Sequence, residues 1–230
     1  MKRLSFASKK QKKQDEETDK EKEDDLTEKL FLSLLGEAEE KSKSEFRVTG
    51  IYGTIDEDKC CDAIYSLLVL KQSGKKLVPV DPEDPESPLT TKCSPIDFLI
   101  STYGGSASEM FAVYDVMRSV RSECPIRTFG FGKVMSAGVL LLAAGTKGER
   151  HIGANCRIMI HGVISGQHGH LSDVENEFEE AKMTQKQYVK ALAQSTDMTA
   201  AYIKKLINRK TNVYLDAQQA VELGIVDKIV

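Results

Sequence analysis

A serine and a histidine carry the strongest chemical signal in this 230-residue chain. Ser136 follows the glycines of Phe129-Gly130-Phe131-Gly132, where a strand-like segment gives way to a helix-like one. A hydroxyl at such a junction faces the positive end of a helix, where unpartnered N–H groups hold an anion. The oxyanion of acyl transfer is such an anion, so attack on a carbonyl is the chemistry that suits the position. The same residue also reads as a plain helix-capping serine. His161 ends the apolar run Ile158-Met159-Ile160 and is the candidate base for Ser136, although a histidine there also reads as a satisfied core residue. Gly104-Gly105, after another strand, either donates N–H groups to an oxyanion or offers an edge to an extended substrate.

From Phe46 onward, strand-like and helix-like patterns alternate. Arg47–Gly53 reads as a strand, and Asp56 opens a helix carrying Ala63, Leu67, Leu68 and Leu70. Ile96–Ser101 is a short strand before Tyr103-Gly104-Gly105-Ser106, and Ser108–Val120 is an amphipathic helix with Met110, Val113, Tyr114 and Met117. Ile126–Gly130 is a strand, Met135–Gly145 a buried helix of small and branched residues, and Arg157–Ile160 a strand. This alternation predicts an α/β fold with a parallel or mixed sheet and right-handed crossovers. Leu171–Ser195 is a long helix with one narrow stripe (Val174, Phe178, Ala181, Tyr188, Leu192), a pattern that packs on something other than its own sheet. Two more helices follow, over Thr199–Ile207 and Ala217–Leu223, the second stopped by Gly224.

Residues 1–45 differ in kind. Lys2, Arg3, Lys9, Lys10, Lys12 and Lys13 precede any acid, and then Asp15 to Glu28 is mostly acidic. So charged a segment buries too little apolar surface to offset chain entropy, so a solvated extension is expected. Leu26, Leu30, Phe31, Leu34 and Leu35 then predict a short amphipathic helix. Between about residues 72 and 95, five of the six prolines sit among Asp81, Glu83, Asp84 and Glu86, which predicts an exposed inserted loop, neither strand nor helix. The net charge of -3 counts against a nucleic-acid binder working through bulk charge. The longest apolar run, Val139–Ala144, is far below the roughly 18–20 residues that cross a bilayer, and no secretory leader follows Met1. The five cysteines show no CxxC spacing, so no disulfide framework is expected and a reducing cytoplasmic home fits.

Together, these stretches resemble the ClpP-type serine peptidases, the caseinolytic protease family. The carrying segments are Ile100–Gly105, Met135–Gly148, Arg157–His161 and Asp216–Asp227, and the likeness covers about residues 46–230. The resemblance implies a ClpP/crotonase-like fold of repeated β-β-α units with a protruding handle, here about residues 162–195. It implies a serine endopeptidase with Ser136 as nucleophile, His161 as general base, and the Gly105 and Ala137 amides as the oxyanion hole. It further implies a polypeptide substrate, heptameric rings stacked in pairs through the handle, and no metal or organic cofactor. ATP use would belong to an AAA+ unfoldase partner, since no GxxxxGK[ST] motif occurs.

The sequence departs from the family pattern in three places. Asn212 stands where the triad usually ends in aspartate; it can orient the imidazole without supplying charge, and Asp216 is near but out of register. Asp97 replaces an aromatic usual in the unfoldase-docking cleft and the chain stops at Val230 without the usual tail, both of which count against docking. The charged start and proline-rich insertion suit a specialised member, such as a viral capsid-maturation peptidase in host cytoplasm or a divergent bacterial paralogue. The rival reading is a catalytically weak structural ring subunit beside an active paralogue. A His168/His170 metal pair lacks a third ligand, and Lys133 or Lys147 as a dyad base reads instead as surface lysine.

Overall fold

A computed structural model of the chain describes residues 46–84, 87–209 and 211–230. The expectations for residues 1–45 lie outside these. Strand β1 (Val48–Ile55) leads into helix α1 (Glu57–Ser73). Asp56 caps that helix by accepting from Lys59 N at 3.1 Å, and Glu57 and Asp58 complement the positive end of its dipole. Strand β4 (Ile96–Gly105) pairs in parallel with β1, and helix α2 (Ala107–Arg121) returns the chain to β5 (Ile126–Met135), parallel to β4. Along β4, Ile96, Phe98 and Ile100 are buried beneath the helices, whereas Leu99 and Tyr103 on the opposite face stay exposed.

Strand β5 forks the sheet. Its first half, Thr128–Gly130, pairs with β6 (Arg150–Ile152), and its second half, Lys133–Met135, pairs with β7 (Arg157–Ile160). Strand β9 (Lys228–Ile229) continues beside β6, and β8 (Val213–Leu215) runs antiparallel to β7. The whole is a 7-stranded sheet, mostly parallel, with α3 (Ala137–Ala143) packed onto β4 and β5. The mixed α/β class and parallel pairing expected from the alternating pattern are thus present. Helix α3 is shorter than expected because Met135 still belongs to β5. Helix α4 (Leu171–Ser195) buries only residues of its second half: Tyr188, Val189, Ala191 and Leu192. Helices α5 (Ala200–Ile207) and α6 (Ala217–Glu222) complete the fold.

Arg150 ties these C-terminal elements together. It is 2% exposed and donates to Asp227, Ser195 O and Gly224 O. Burial pushes the Asp227 carboxyl up, but the Arg150 hydrogen bonds and charge outweigh this and hold it below the ordinary carboxylate value.

Two expectations are corrected. The proline-rich insertion contains an antiparallel hairpin, β2 (Lys75–Pro79) with β3 (Leu89–Cys93). Proline is tolerated there because Pro79 ends its strand and the pair is only two strands wide, so no central ladder is interrupted. The cysteines are also not all unpaired: Cys93 at the hairpin base is disulfide-bonded to Cys124, across 31 residues of chain. The spacing hid this because β3 and the turn before β5 meet only through the fold. The same base is clamped by Glu123, which receives Lys71 at 2.6 Å and Lys75 at 2.9 Å.

Candidate active site

Strand β5 delivers Ser136 directly into the first turn of α3, and the tightness of this junction shows in the backbone. Ser136 has φ 55°, the one non-glycine residue with positive φ among the described residues. That conformation costs roughly 1–3 kcal/mol and persists only where the surroundings enforce it. Ser136 N donates to Met159 O at 2.7 Å, which fastens the turn to β7. Its carbonyl accepts from Val139 N at 3.0 Å and from the Tyr188 hydroxyl of α4 at 3.4 Å. Burial pushes the Tyr188 phenol well above its ordinary value, so it stays a donor.

The glycine turn lies against this serine. Gly104 has φ 102°, and a Cβ there would sit 2.6 Å from Ser136 Cβ and 3.0 Å from Oγ. Its N–H donates to Thr102 Oγ1 at 2.9 Å, which shapes the turn from within. Gly105 abuts β1 so closely that a Cβ would meet Ile55 O at 2.1 Å. Ala137 opens α3, and an N–H in a first helical turn has no intrahelical partner. Ser136, Ala137, Gly105 and His161 line one cleft of about 400 Å³ with Met110 and Tyr188. Among the described residues no Asp, Glu, Lys or Arg lines it.

His161 follows β7, and its Nδ1 meets the carbonyl of Gly162. With the proton on Nδ1, that contact leaves Nε2 as the basic nitrogen. No hydrogen bond joins the Ser136 hydroxyl to the imidazole among the described residues. Asn212 immediately precedes β8; since Ile160 pairs with Val213, Asn212 is next in register to His161. Its side chain is exposed and makes no hydrogen bond to the ring among the described residues. Asp216 is occupied elsewhere: it caps α6, accepting from Gln219 N at 2.8 Å in a reciprocal capping box. Residues 162–166, the start of the expected handle, form no strand ladder among the described residues, and Val163 N donates to Gln185 Oε1 of α4 at 3.2 Å. Tyr188 was legible only as a member of an apolar stripe, since nothing in spacing tells a core tyrosine from one whose hydroxyl reaches a nucleophile's carbonyl.

A strained serine elbow, a histidine and a glycine turn thus meet at one cleft of an α/β protein. The Clp protease family model matches residues 88–230. The chain is 35% identical over 135 residues to the ATP-dependent Clp protease proteolytic subunit 1 of Corynebacterium jeikeium (strain K411), covering 59% of this chain and 70% of that one. This chain belongs to the Clp protease family.

Proposed function

We propose that the chain is a serine endopeptidase acting through an acyl-enzyme inside a ring-shaped oligomer. The observation that carries this reading is the strained Ser136 elbow opening onto the cleft that His161 also lines. His161 Nε2 takes the proton as Ser136 Oγ attacks a peptide carbonyl held along the Gly105 edge. The oxyanion rests on the Gly105 and Ala137 amides, the amine leaves with the proton from His161, and water then clears the ester. Asn212, next in register to His161, is the third residue of this reading and orients the imidazole once its side-chain oxygen replaces Gly162 O on Nδ1. The apolar, uncharged cleft wall at Met110 and Tyr188 fits an uncharged substrate side chain.

The open sheet face and the outer half of α4 support ring assembly, with the handle pairing two heptamers. Asp97 and Arg127 form an ion pair on that open face, with Arg127 Nη2 2.9 Å from Asp97 Oδ2, which counts against an apolar unfoldase dock. The reading is of a cytoplasmic peptidase, in host cytoplasm if the source is a virus; none of the described helices is long and apolar enough to cross a membrane. A second reading, a structural ring subunit beside an active paralogue, is favoured by one observation: among the described residues the imidazole makes no bond to a carboxylate. The test is a fluorophosphonate probe on the assembled protein. Covalent labelling of wild type and none of Ser136→Ala supports the peptidase. Unlabelled wild type supports the structural subunit.

A further inference from the structure

Strands β5 and β7, which lead into Ser136 and His161, carry two cations that the peptidase chemistry leaves unused. In the β5–β7 ladder Lys133 lies directly opposite Arg157, Val134 opposite Ile158 and Met135 opposite Met159. Val134 and Ile158 are fully buried, so Lys133 and Arg157 share the other face of the sheet. His161 follows the end of β7, four residues on from Arg157, or about 13 Å at strand rise. Like charges directly opposite each other across a ladder repel. Neither cation forms an ion pair with a carboxylate among the described residues.

Lys133 is instead held by aromatic rings. Its ammonium lies 4.5 Å from the centre of the Tyr103 ring and 5.5 Å from that of Tyr52. Rings hold an ammonium in place without neutralising it, so the charge remains available. Tyr103 also lines the cleft and immediately precedes Gly104. The ammonium therefore stands against a residue of the cleft wall, and Arg157 is the direct cross-strand partner of Lys133.

We infer that Lys133 and Arg157 form a subsite for an acidic side chain of the substrate polypeptide, about three or four residues from the scissile bond. A carboxylate between them relieves their mutual repulsion and gains two charge-assisted contacts. Selection for acidic residues at this distance thus adds to the apolar preference of the cleft next to Ser136. The inference rests on the peptidase reading.

The test uses the assembled, full-length protein with fluorogenic peptides that differ only in carrying Asp or Lys three or four residues from the cleaved bond, on either side. The expected result is that kcat/KM favours the acidic peptide by about three- to tenfold at low salt, and that the preference shrinks at high salt. Lys133→Glu inverts the ratio, Lys133→Arg keeps it, and Lys204→Glu, an exposed change on α5, leaves it unaltered. Ser136 labelling without any charge preference overturns this inference alone. An absence of labelling overturns the peptidase reading and this inference with it. If Lys133→Glu instead dissociates the oligomer and leaves the ratio unchanged, the cations serve contact between copies and the subsite is overturned.

Discussion

At Ser136 and Gly104, backbone strain and crowding meet at one point, and they can be separated. Gly104→Ala puts a methyl 2.6 Å from Ser136 Cβ at a φ of 102°. Gly148→Ala meets the strain alone, since its φ is 90° and nothing lies within 4 Å of the added carbon. The expected outcome for Gly148→Ala is a loss of about 1–2 kcal/mol in urea unfolding with probe labelling at the wild-type rate. Gly104→Ala is expected to slow labelling about 100-fold, because displacing a nucleophile by about 1 Å costs that much. Asn212 poses the other single-residue question. If it orients His161, Asn212→Asp adds the missing negative charge and should raise kcat by at least about tenfold at pH 7. An unchanged kcat would remove Asn212 from the site. Ser136, His161 and the glycine turn were legible because each stands at an element end, where sequence punctuation is strongest. The tautomer-fixing contact to Gly162 O was not, because a backbone carbonyl has no sequence signature.

At the scale of elements, the long strands and helices were readable, whereas β6, β8 and β9, with 3, 3 and 2 residues, were not. Strands so short carry no periodicity, and only the neighbour they pair with makes them strands. The β2–β3 hairpin was hidden by its prolines, and its attachment is all at the base. The Lys71 and Lys75 hydrogen bonds hold the Glu123 carboxyl down to about 2. A depressed folded value means that the clamp contributes fully above the ordinary value of 4.5 and is lost as pH falls from there toward 2. Hydrogen exchange at residues 75–79 and 89–93 is therefore expected to quicken, relative to the sheet core, across that window; a Glu123→Gln variant should show no such pH step. The Cys93–Cys124 bond closes a loop of 31 residues, for which constraint of the unfolded chain predicts about 3–4 kcal/mol. Urea unfolding should show the wild type more stable than Cys93→Ser by that amount without reductant, and the gap should close when reductant is added.

At the scale of the whole molecule, the described residues leave two apolar surfaces exposed. A mainly parallel sheet is ordinarily covered on both faces, yet Leu99, Tyr103 and Phe131 stand exposed on one face of this one. Helix α4 poses the same problem in another place. Its 25 residues span about 37 Å, but its buried side chains all lie in the second half. Leu171 (73% exposed), Phe178 (60%) and Met183 (48%) face outward from a helix whose first half buries no side chain among the described residues. An exposed apolar helix face is stabilised by a partner surface, and a stacked-ring assembly supplies a second copy of the same helix. The second half of α4 meanwhile reaches the candidate cleft through Tyr188 on Ser136 O and Gln185 on Val163 N. Whatever orders the outer half therefore steadies the wall of the candidate site along one continuous helix. Phe178→Asp places a carboxylate where the partner's apolar surface would lie, without touching the buried core of its own chain. It should shift the protein to a smaller species in sedimentation, keep the thermal unfolding of the subunit within about 0.5 kcal/mol, and slow Ser136 labelling in step with the loss of assembly. Full assembly of Phe178→Asp would show that α4 does not carry the contact between rings. Dissociation with undiminished labelling would show that the cleft is complete in the isolated subunit.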